Sequence, residues 1–378
     1  MEYSIENNIY GLNVNDVFAI GKRHNNYKRD FLFISKLIGK HLTIDPDTLK
    51  DTGEKLANLV PNLNNVSGKE TLVIGLCETA TGIGMAVAAC IDDCTYQTST
   101  REPIVGTREI LSFEETHSHA SNHRIISDTT DLTQFKRVIL VDDEITTGNS
   151  ILHLMEQIES ISHMIDYIVV TILDWRQQDH YYHFSQFASD HSCTVNVEAM
   201  FTGKFSDDNK KLYINDNLPF VTQVVPATQL DSFPRQLFCC SPDNSTSYVT
   251  LTGRFGVKQS EISEIERYAS GAAKMIASSL GVGLKSVLVL GHGENIYIPS
   301  RIASHLKSYY ETVRFKSTSR TPIYCDGTVI KDAEMFMDRG VEYFFYNRKE
   351  AESFDKTVLL TETPLNLELC NNIVVFNL

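Results

Sequence analysis

The stretch Val138–Ser150, VILVDDEITTGNS, decides how the rest of the chain is read. Val138, Ile139, Leu140 and Val141 are consecutive apolar β-formers without alternation, which predicts a strand covered on both faces and hence a parallel sheet. Asp142 and Asp143 follow where such a strand delivers side chains to a crevice. Thr146, Thr147, Gly148, Asn149 and Ser150 then form a small polar loop before a helix with Ile151, Leu154, Met155 and Ile158 at helical spacing. A loop of that kind offers backbone N–H groups, hydroxyls and a positive helix end to a phosphate. Carboxylates beside it can accept hydrogen bonds from vicinal sugar hydroxyls, so the pair suggests a sugar phosphate.

A second buried strand lies upstream in TLVIGLCETATGIG (71–84). Its apolar run ends at Gly75, and Glu78, Thr79, Ala80, Thr81 and Gly82 lead into another helix, a layout suited to cradling pyrophosphate oxygens, with Gly82 and Gly84 permitting close approach. Strand, acidic pair, two residues and Thr-Thr-Gly resemble the phosphoribosyl pyrophosphate (PRPP) binding motif of the type I phosphoribosyltransferases, and every position of that motif is matched. A strand with a capped helix and acids at its start would explain only some of these residues.

The resemblance implies a parallel-sheet, Rossmann-like α/β domain, a Mg2+ cofactor held by Asp142 and Asp143 directly or indirectly, and catalysis by positioning and charge. It also implies a mobile flap between the two motifs. That segment holds TSTREPIVG (98–106), in which Arg101 would grip departing pyrophosphate, and FEETHSHASNH (113–123). His117, His119 and His123 read as flap histidines that hydrogen-bond or protonate pyrophosphate, with metal ligation and roleless surface histidines as alternatives. After the strand YIVVTIL (167–173), Asp174, Trp175 and Arg176 occupy the position that contacts the accepting base in the resembled family. Trp175 could stack on a ring or, equally well, cover the core.

Composition limits the alternatives. With 378 residues, 42% hydrophobic and 22% charged, the chain reads as a globular protein of two domains. A net charge of −14 argues against broad nucleic-acid binding, which needs Lys and Arg along the phosphates. No export signal or membrane-length apolar run is visible, and the eight cysteines are scattered, so the reading is a cytoplasmic protein with reduced thiols. Adjacent Cys239 and Cys240 as a redox pair is a minority alternative. Lys22, Arg23, Lys28 and Arg29 form a local cation cluster before an expected helix with Phe31, Ile34, Leu37 and Ile38. They could approach pyrophosphate, also from a neighbouring subunit of a homodimer, or simply be solvated.

The expected division is 1–245 and 250–378, with SPDNSTS (241–247) at the join. The second domain echoes the first: LVLGHGE (288–294) parallels LVIGLCE (72–78), STSRTPI (317–323) parallels TSTREPI (98–104), and DKTVLLTET (355–363) faintly parallels FKRVILVDD (135–143). A degenerate α/β copy is the expectation, holding a phosphate at Gly291, Gly293, Glu294 and Arg320 or serving as scaffold. The two-part arrangement resembles bacterial proteins in which a phosphoribosyltransferase precedes a TRSP domain, found in stress-response operons of the tellurite-resistance type. Here the signature is Ser-Arg-Thr-Pro, which departs from the naming motif. The resemblance implies transfer of a phosphoribosyl group from PRPP to a small nitrogenous acceptor in making a nucleoside-like metabolite. The competing reading is a sensor that binds PRPP or a nucleotide without turnover.

Overall fold

The computed structural model describes residues 2–23, 31–62, 66–113, 123–206, 218–222, 225–241, 244–365 and 372–378. His117 and His119 of the expected flap, and Lys28 and Arg29 of the cation cluster, lie outside them. Two sheets organise the chain. The first has seven strands in the order Glu2–Asn8, Thr194–Ser206, Asp166–Asp174, Arg137–Ile145, Thr71–Gly75, Thr95–Thr98 and Val257–Lys258. The middle five run parallel and the two edge strands pair antiparallel. Val138 to Val141 and Leu72 to Ile74 are fully buried, as expected for strands with helices on both faces.

The second sheet is parallel, ordered Ala227–Gln229, Ile373–Asn377, Lys356–Thr361, Ser286–Gly291 and Thr312–Ser317. Its last four strands repeat the order of Asp166–Asp174, Arg137–Ile145, Thr71–Gly75 and Thr95–Thr98 in the first. Each unit also carries a two-stranded hairpin at the same point in the chain: Glu109–Phe113 with His123–Ile126, and Ala333–Asp338 with Val341–Tyr346. The sequence echo is therefore matched by topology.

The units share edges and core. Val257–Lys258 joins the first sheet, while Ala227–Gln229 joins the second. A single apolar cluster contains Val73, Ile139 and Met155 together with Val289, Phe315 and Phe376. Of the 241–247 stretch, Ser241 and Asn244 to Ser247 lie in the paired strands Arg235–Ser241 and Asn244–Val249. The hairpin packs Phe238 and Tyr248 on Ile104 and Ile126 of the first unit, and that apolar contact keeps the segment folded.

Residues Phe31–Ser35 differ from expectation. They form a strand against Phe18–Lys22, with every side chain buried. The helical spacing of Phe31, Ile34, Leu37 and Ile38 is also satisfied by the continuous run FLFIS, and a short aromatic and β-branched run favours a strand.

Helices Thr81–Ala88 and Tyr297–Leu306 approach each other where Gly82 sits. A Cβ there would lie 2.9 Å from Ile296 Cγ2 and 3.1 Å from Leu49 Cδ2. Gly82 thus admits protein and not pyrophosphate. Gly84 is filled likewise by Gly75 and the Tyr96 ring. Gly82→Ala should destabilise the chain by about 1–3 kcal/mol through overpacking. Urea unfolding checks this, and a neutral substitution would contradict the packing.

Candidate active site and the joint beneath it

The acidic strand extends further than its sequence suggests, through Ile145. Asp142 pairs with Thr171 and Glu144 with Leu173 in the ladder. Burial alternates along it: Asp143 and Ile145 are buried, Asp142 and Glu144 half-buried, the period of a pleated strand. Asp143 accepts a hydrogen bond from Thr79 Oγ1 at 2.7 Å, which ties the acidic pair to the pyrophosphate loop. The Asp143 N–H in turn donates to Asp142 Oδ1 at 3.0 Å. Burial, reinforced by the neighbouring Glu144, pushes the Asp143 carboxyl up to about 6, against the pull of the Thr79 bond.

The phosphate-loop residues follow directly. Gly148 adopts φ +79°, and a Cβ on it would strike the Phe184 ring at 2.5 Å, so glycine is required on both counts. The helix starts at Asn149, whose N–H donates to Thr147 Oγ1 at 3.3 Å. Its positive end therefore faces the loop Thr146–Ser150. Phe184 also carries the Arg176 guanidinium, 4.5 Å from its ring centroid.

The expected acceptor contacts do not survive. Asp174 and Arg176 are buried and spend their charges on each other in a two-point pair at 2.9 and 2.8 Å. Trp175 is 1% exposed, stacked on Phe33 at 4.7 Å and edge-on to Phe18 at 5.6 Å. The strand-end tryptophan covers the core, because apolar area removed from water outweighs exposure at a cleft.

Arg101 and His123 do meet. Arg101 Nε donates to His123 Nε2 at 3.0 Å. Guanidinium has no acceptor, so His123 Nε2 accepts and the ring hydrogen sits on Nδ1. That nitrogen faces Ser99 Oγ at 3.3 Å and Cys77 Sγ at 3.4 Å.

The 78–82 loop is gripped by the second unit. Glu78 is buried and receives Lys40 Nζ at 2.7 Å and the Arg320 backbone N–H at 3.1 Å. Lys40 is fully buried and also donates to the carbonyls of Gly293 at 2.6 Å and Thr318 at 2.7 Å. Burial lowers the Lys40 ammonium, and Glu78 opposes that shift. Thr81 Oγ1 donates to Glu294 O at 2.7 Å. The mirror contact is also made: Glu294 accepts the Arg101 backbone N–H at 2.7 Å, Thr100 Oγ1 at 2.6 Å and Arg254 Nε at 3.1 Å. Burial pushes the Glu294 carboxyl up, but Arg254, Arg320 and these hydrogen bonds outweigh it and bring it down to about 2. Glu78 and Glu294, with Arg101 and Arg320, are thus exchanged partners across a joint within one chain. Gly293 turns in that joint at φ +61°, and a Cβ at Gly291, the last residue of its strand, would meet Asn295 O at 2.9 Å.

The family models divide the chain in the same two parts. Residues 17–204 match the family model described as phosphoribosyl transferase, and residues 251–376 match that of the TRSP domain found C-terminal to it. The fold and paired motifs define a phosphoribosyltransferase-type α/β protein. The chain belongs to the family in which this domain precedes a TRSP domain. A comparison with curated proteins finds no match. Among solved structures, adenine phosphoribosyltransferase of Trypanosoma brucei is 12% identical, covering 48% of this chain and 76% of its own, with a TM-score of 0.34. The Saccharomyces cerevisiae enzyme of that name gives 15%, 49% and 94%, with a TM-score of 0.30. Orotate phosphoribosyltransferase of Mycobacterium tuberculosis H37Rv gives 13%, 49% and 82%, with 0.27.

Two outcomes follow from the electrostatics. Removing the Glu78 charge strands Lys40 in the interior, so Glu78→Gln should cost about 3–5 kcal/mol in urea unfolding; a loss under about 1 kcal/mol would show that the pair is not buried as described. For Asp143 the folded carboxyl lies above its unfolded value near 3.8, so its contribution to stability is present at low pH and lost as pH rises through 6. Asp143→Asn should therefore stabilise the metal-free protein at pH 8, on the order of 1–3 kcal/mol, and have little effect at pH 4. Thermal melts at both pH values test the sign.

Proposed function

We propose that the protein is a Mg2+-dependent phosphoribosyltransferase, moving the 5-phosphoribosyl group from PRPP to a nitrogenous small-molecule acceptor and releasing pyrophosphate. The observation that carries this reading is the Thr79–Asp143 hydrogen bond, which joins the loop after Thr71–Gly75 to the acidic pair on the neighbouring parallel strand Arg137–Ile145. Asp142 and Asp143 hold the ribose hydroxyls, Thr146 to Ser150 hold the 5′-phosphate, and Arg101, positioned by His123 and Glu294, faces the leaving group. Loop closure and fixed charges supply the rate, and no enzyme nucleophile takes part.

Among the described residues no group of three or more His, Cys, Asp or Glu is placed to hold a metal. Mg2+ binds through one or two carboxylates plus water and substrate phosphates. Asp142 and Asp143 provide such a donor set, and the bound ion would neutralise charge on the pyrophosphate. The proposed setting is cytoplasmic synthesis of a nucleoside-like metabolite in a stress response of the tellurite-resistance kind. Among the described residues no helix is long and apolar enough to cross a membrane.

One observation favours the sensor reading: Glu78, Thr81 and Gly82 face the second unit and not a cleft. Pyrophosphate release from PRPP with Mg2+, measured against a panel of bases and amines, separates the two. Release dependent on one acceptor is expected. Asp142→Asn/Asp143→Asn should lower PRPP affinity about tenfold or more, a change of roughly 1.4 kcal/mol. Tight PRPP binding with no turnover for any acceptor would favour the sensor, and unchanged affinity in the double variant would remove both.

A further inference from the structure

The two units correspond beyond their sheets. Each carries a further hairpin, N-terminal to its strand Thr71–Gly75 or Ser286–Gly291: Phe18–Lys22 with Phe31–Ser35, and Arg235–Ser241 with Asn244–Val249. Each of these hairpins bonds to the other unit, the Tyr324 N–H donating to Lys22 O at 2.9 Å and the Val105 N–H to Cys239 O at 2.8 Å. The chain then passes Gly39-Lys40 in one and Gly253-Arg254 in the other, where the glycines, at φ +65° and +91°, leave no room for a Cβ against the rings of Phe315 and Tyr96. Thr100 pairs with Arg124 and Ser319 with Phe344, which sets His123 and Tyr343 at equivalent places. They receive Nε of Arg101 at 3.0 Å and of Arg320 at 2.8 Å. The Glu102 N–H donates to Thr100 Oγ1 at 3.0 Å and the Thr321 N–H to Ser319 Oγ at 3.1 Å. Lys40 therefore corresponds to Arg254, Arg101 to Arg320, and Glu102 to Thr321.

Two of these correspondences carry different chemistry. In the second unit the cations are closed on carboxylates: Arg320 reaches Glu102 at 2.7 Å across the joint, and Arg254 reaches Glu362, the counterpart of Asp142, at 3.0 and 2.6 Å. In the first unit Lys40 places its three donors on Glu78 and on the carbonyls of Gly293 and Thr318, which leaves it none for Asp142. Thr321, where the exchange would set a carboxylate beside Arg101, carries a hydroxyl. The two segments are in contact, since Arg320 Nη1 donates to Arg101 O at 3.4 Å. A carboxylate bonded to a guanidinium competes with any anion that the guanidinium would otherwise bind. Thr321 brings no such competitor.

We propose that Thr321, although it belongs to the second unit, determines the specificity of the first cleft. Its uncharged side chain beside Arg101 admits a diphosphate anion, as Glu102 beside Arg320 does not. The proposal rests on the reading of Arg101 as the residue that faces pyrophosphate. It gives the TRSP-type unit a share in choosing the substrate, in addition to holding the 78–82 loop.

The test is isothermal titration of the full chain with inorganic pyrophosphate in the presence of Mg2+. Thr321→Glu should weaken pyrophosphate about tenfold or more, the scale of one charge-assisted hydrogen bond, whereas the uncharged Thr321→Gln of equal size should weaken it about threefold at most. In an Arg101→Gln background the added charge should cost no more than about twofold, because its partner is gone. The proposal is overturned if Thr321→Glu binds pyrophosphate like the wild type, if Thr321→Gln loses as much, or if the charge costs as much without Arg101 as with it. Should Thr321→Glu fail to fold, Thr321→Asp, closer in size to threonine, is held to the same outcomes against Thr321→Asn. Wild-type binding that the added charge leaves intact sinks this proposal alone. A wild-type chain that binds neither pyrophosphate nor PRPP sinks the proposed function, and this proposal with it.

Discussion

Two buried carboxylates hold this protein in its working shape. Glu78 ends the first strand-and-turn of one unit and is bound by the backbone of Arg320 in the other; Glu294 ends the corresponding turn of the second unit and is bound by the backbone of Arg101. An exchange in which i meets j and j′ meets i′ is the property of a two-fold interface between identical subunits. Here it occurs between duplicated halves of one chain, whose sheets share their strand order. Burying such charges costs desolvation that their pairing offsets only if geometry and extra hydrogen bonds are good. Lys40, with one carboxylate and two carbonyls, and Arg254, forked between Glu294 and Glu362, supply that geometry. The net stabilisation of such networks is small, but the penalty for mispairing is large, so their main effect is to fix how the halves register.

The joint also explains why alternate residues of the 78–82 loop serve different masters. Glu78 and Thr81 turn to the second unit, and Thr79 between them turns to Asp143. A displacement of the TRSP-type unit must therefore move the partner of the acidic strand. Arg101 is placed in the same way, its backbone by Glu294 and its guanidinium against His123.

Much of the fold was legible because its signals are local. Unbroken apolar runs at 72–74 and 138–141, and the run at 167–173 interrupted only by Thr171, gave the parallel strands of the first sheet. The repeat was legible as well, since Gly-x-x-Glu and Arg-x-Pro recur in order. Two readings failed, and a third went to its alternative, for a shared reason: the sequence does not say which neighbour fills a given space. FLFIS fits either period until its partner Phe18–Lys22 is known. Gly82 looks like room for a ligand until Ile296 occupies it. Trp175 stands at a strand end, yet Phe33 and Phe18, far upstream, enclose it. Lys40, Arg254 and Glu362 had no visible partners at all, because theirs lie far along the chain: Lys40 meets Glu78, Gly293 and Thr318, and Arg254 meets Glu294 and Glu362. The echo aligning Arg101 with Arg320 was the one available clue, and it named the right residues without revealing that they are exchanged.

That exchange bears on what the duplication achieves. In a dimer of separate chains both copies must keep the same residues, so a change that improves the joint also alters both clefts. Fusion removes that constraint: one half can keep Asp142, Asp143 and the Thr-Thr-Gly loop, while the other replaces them with Glu362 and admits Arg254 between its carboxylates. Arg254 is available only because the chain crosses between the sheets at 254–258, where Val257–Lys258 pairs with Thr95 and Tyr96. The crossover therefore does two things at once, closing the edge of the first sheet and delivering a guanidinium to the cleft of the second. With that cation in place the second unit's carboxylates are spent on Arg254, and Glu294 remains bonded to the backbone of the segment carrying Arg101.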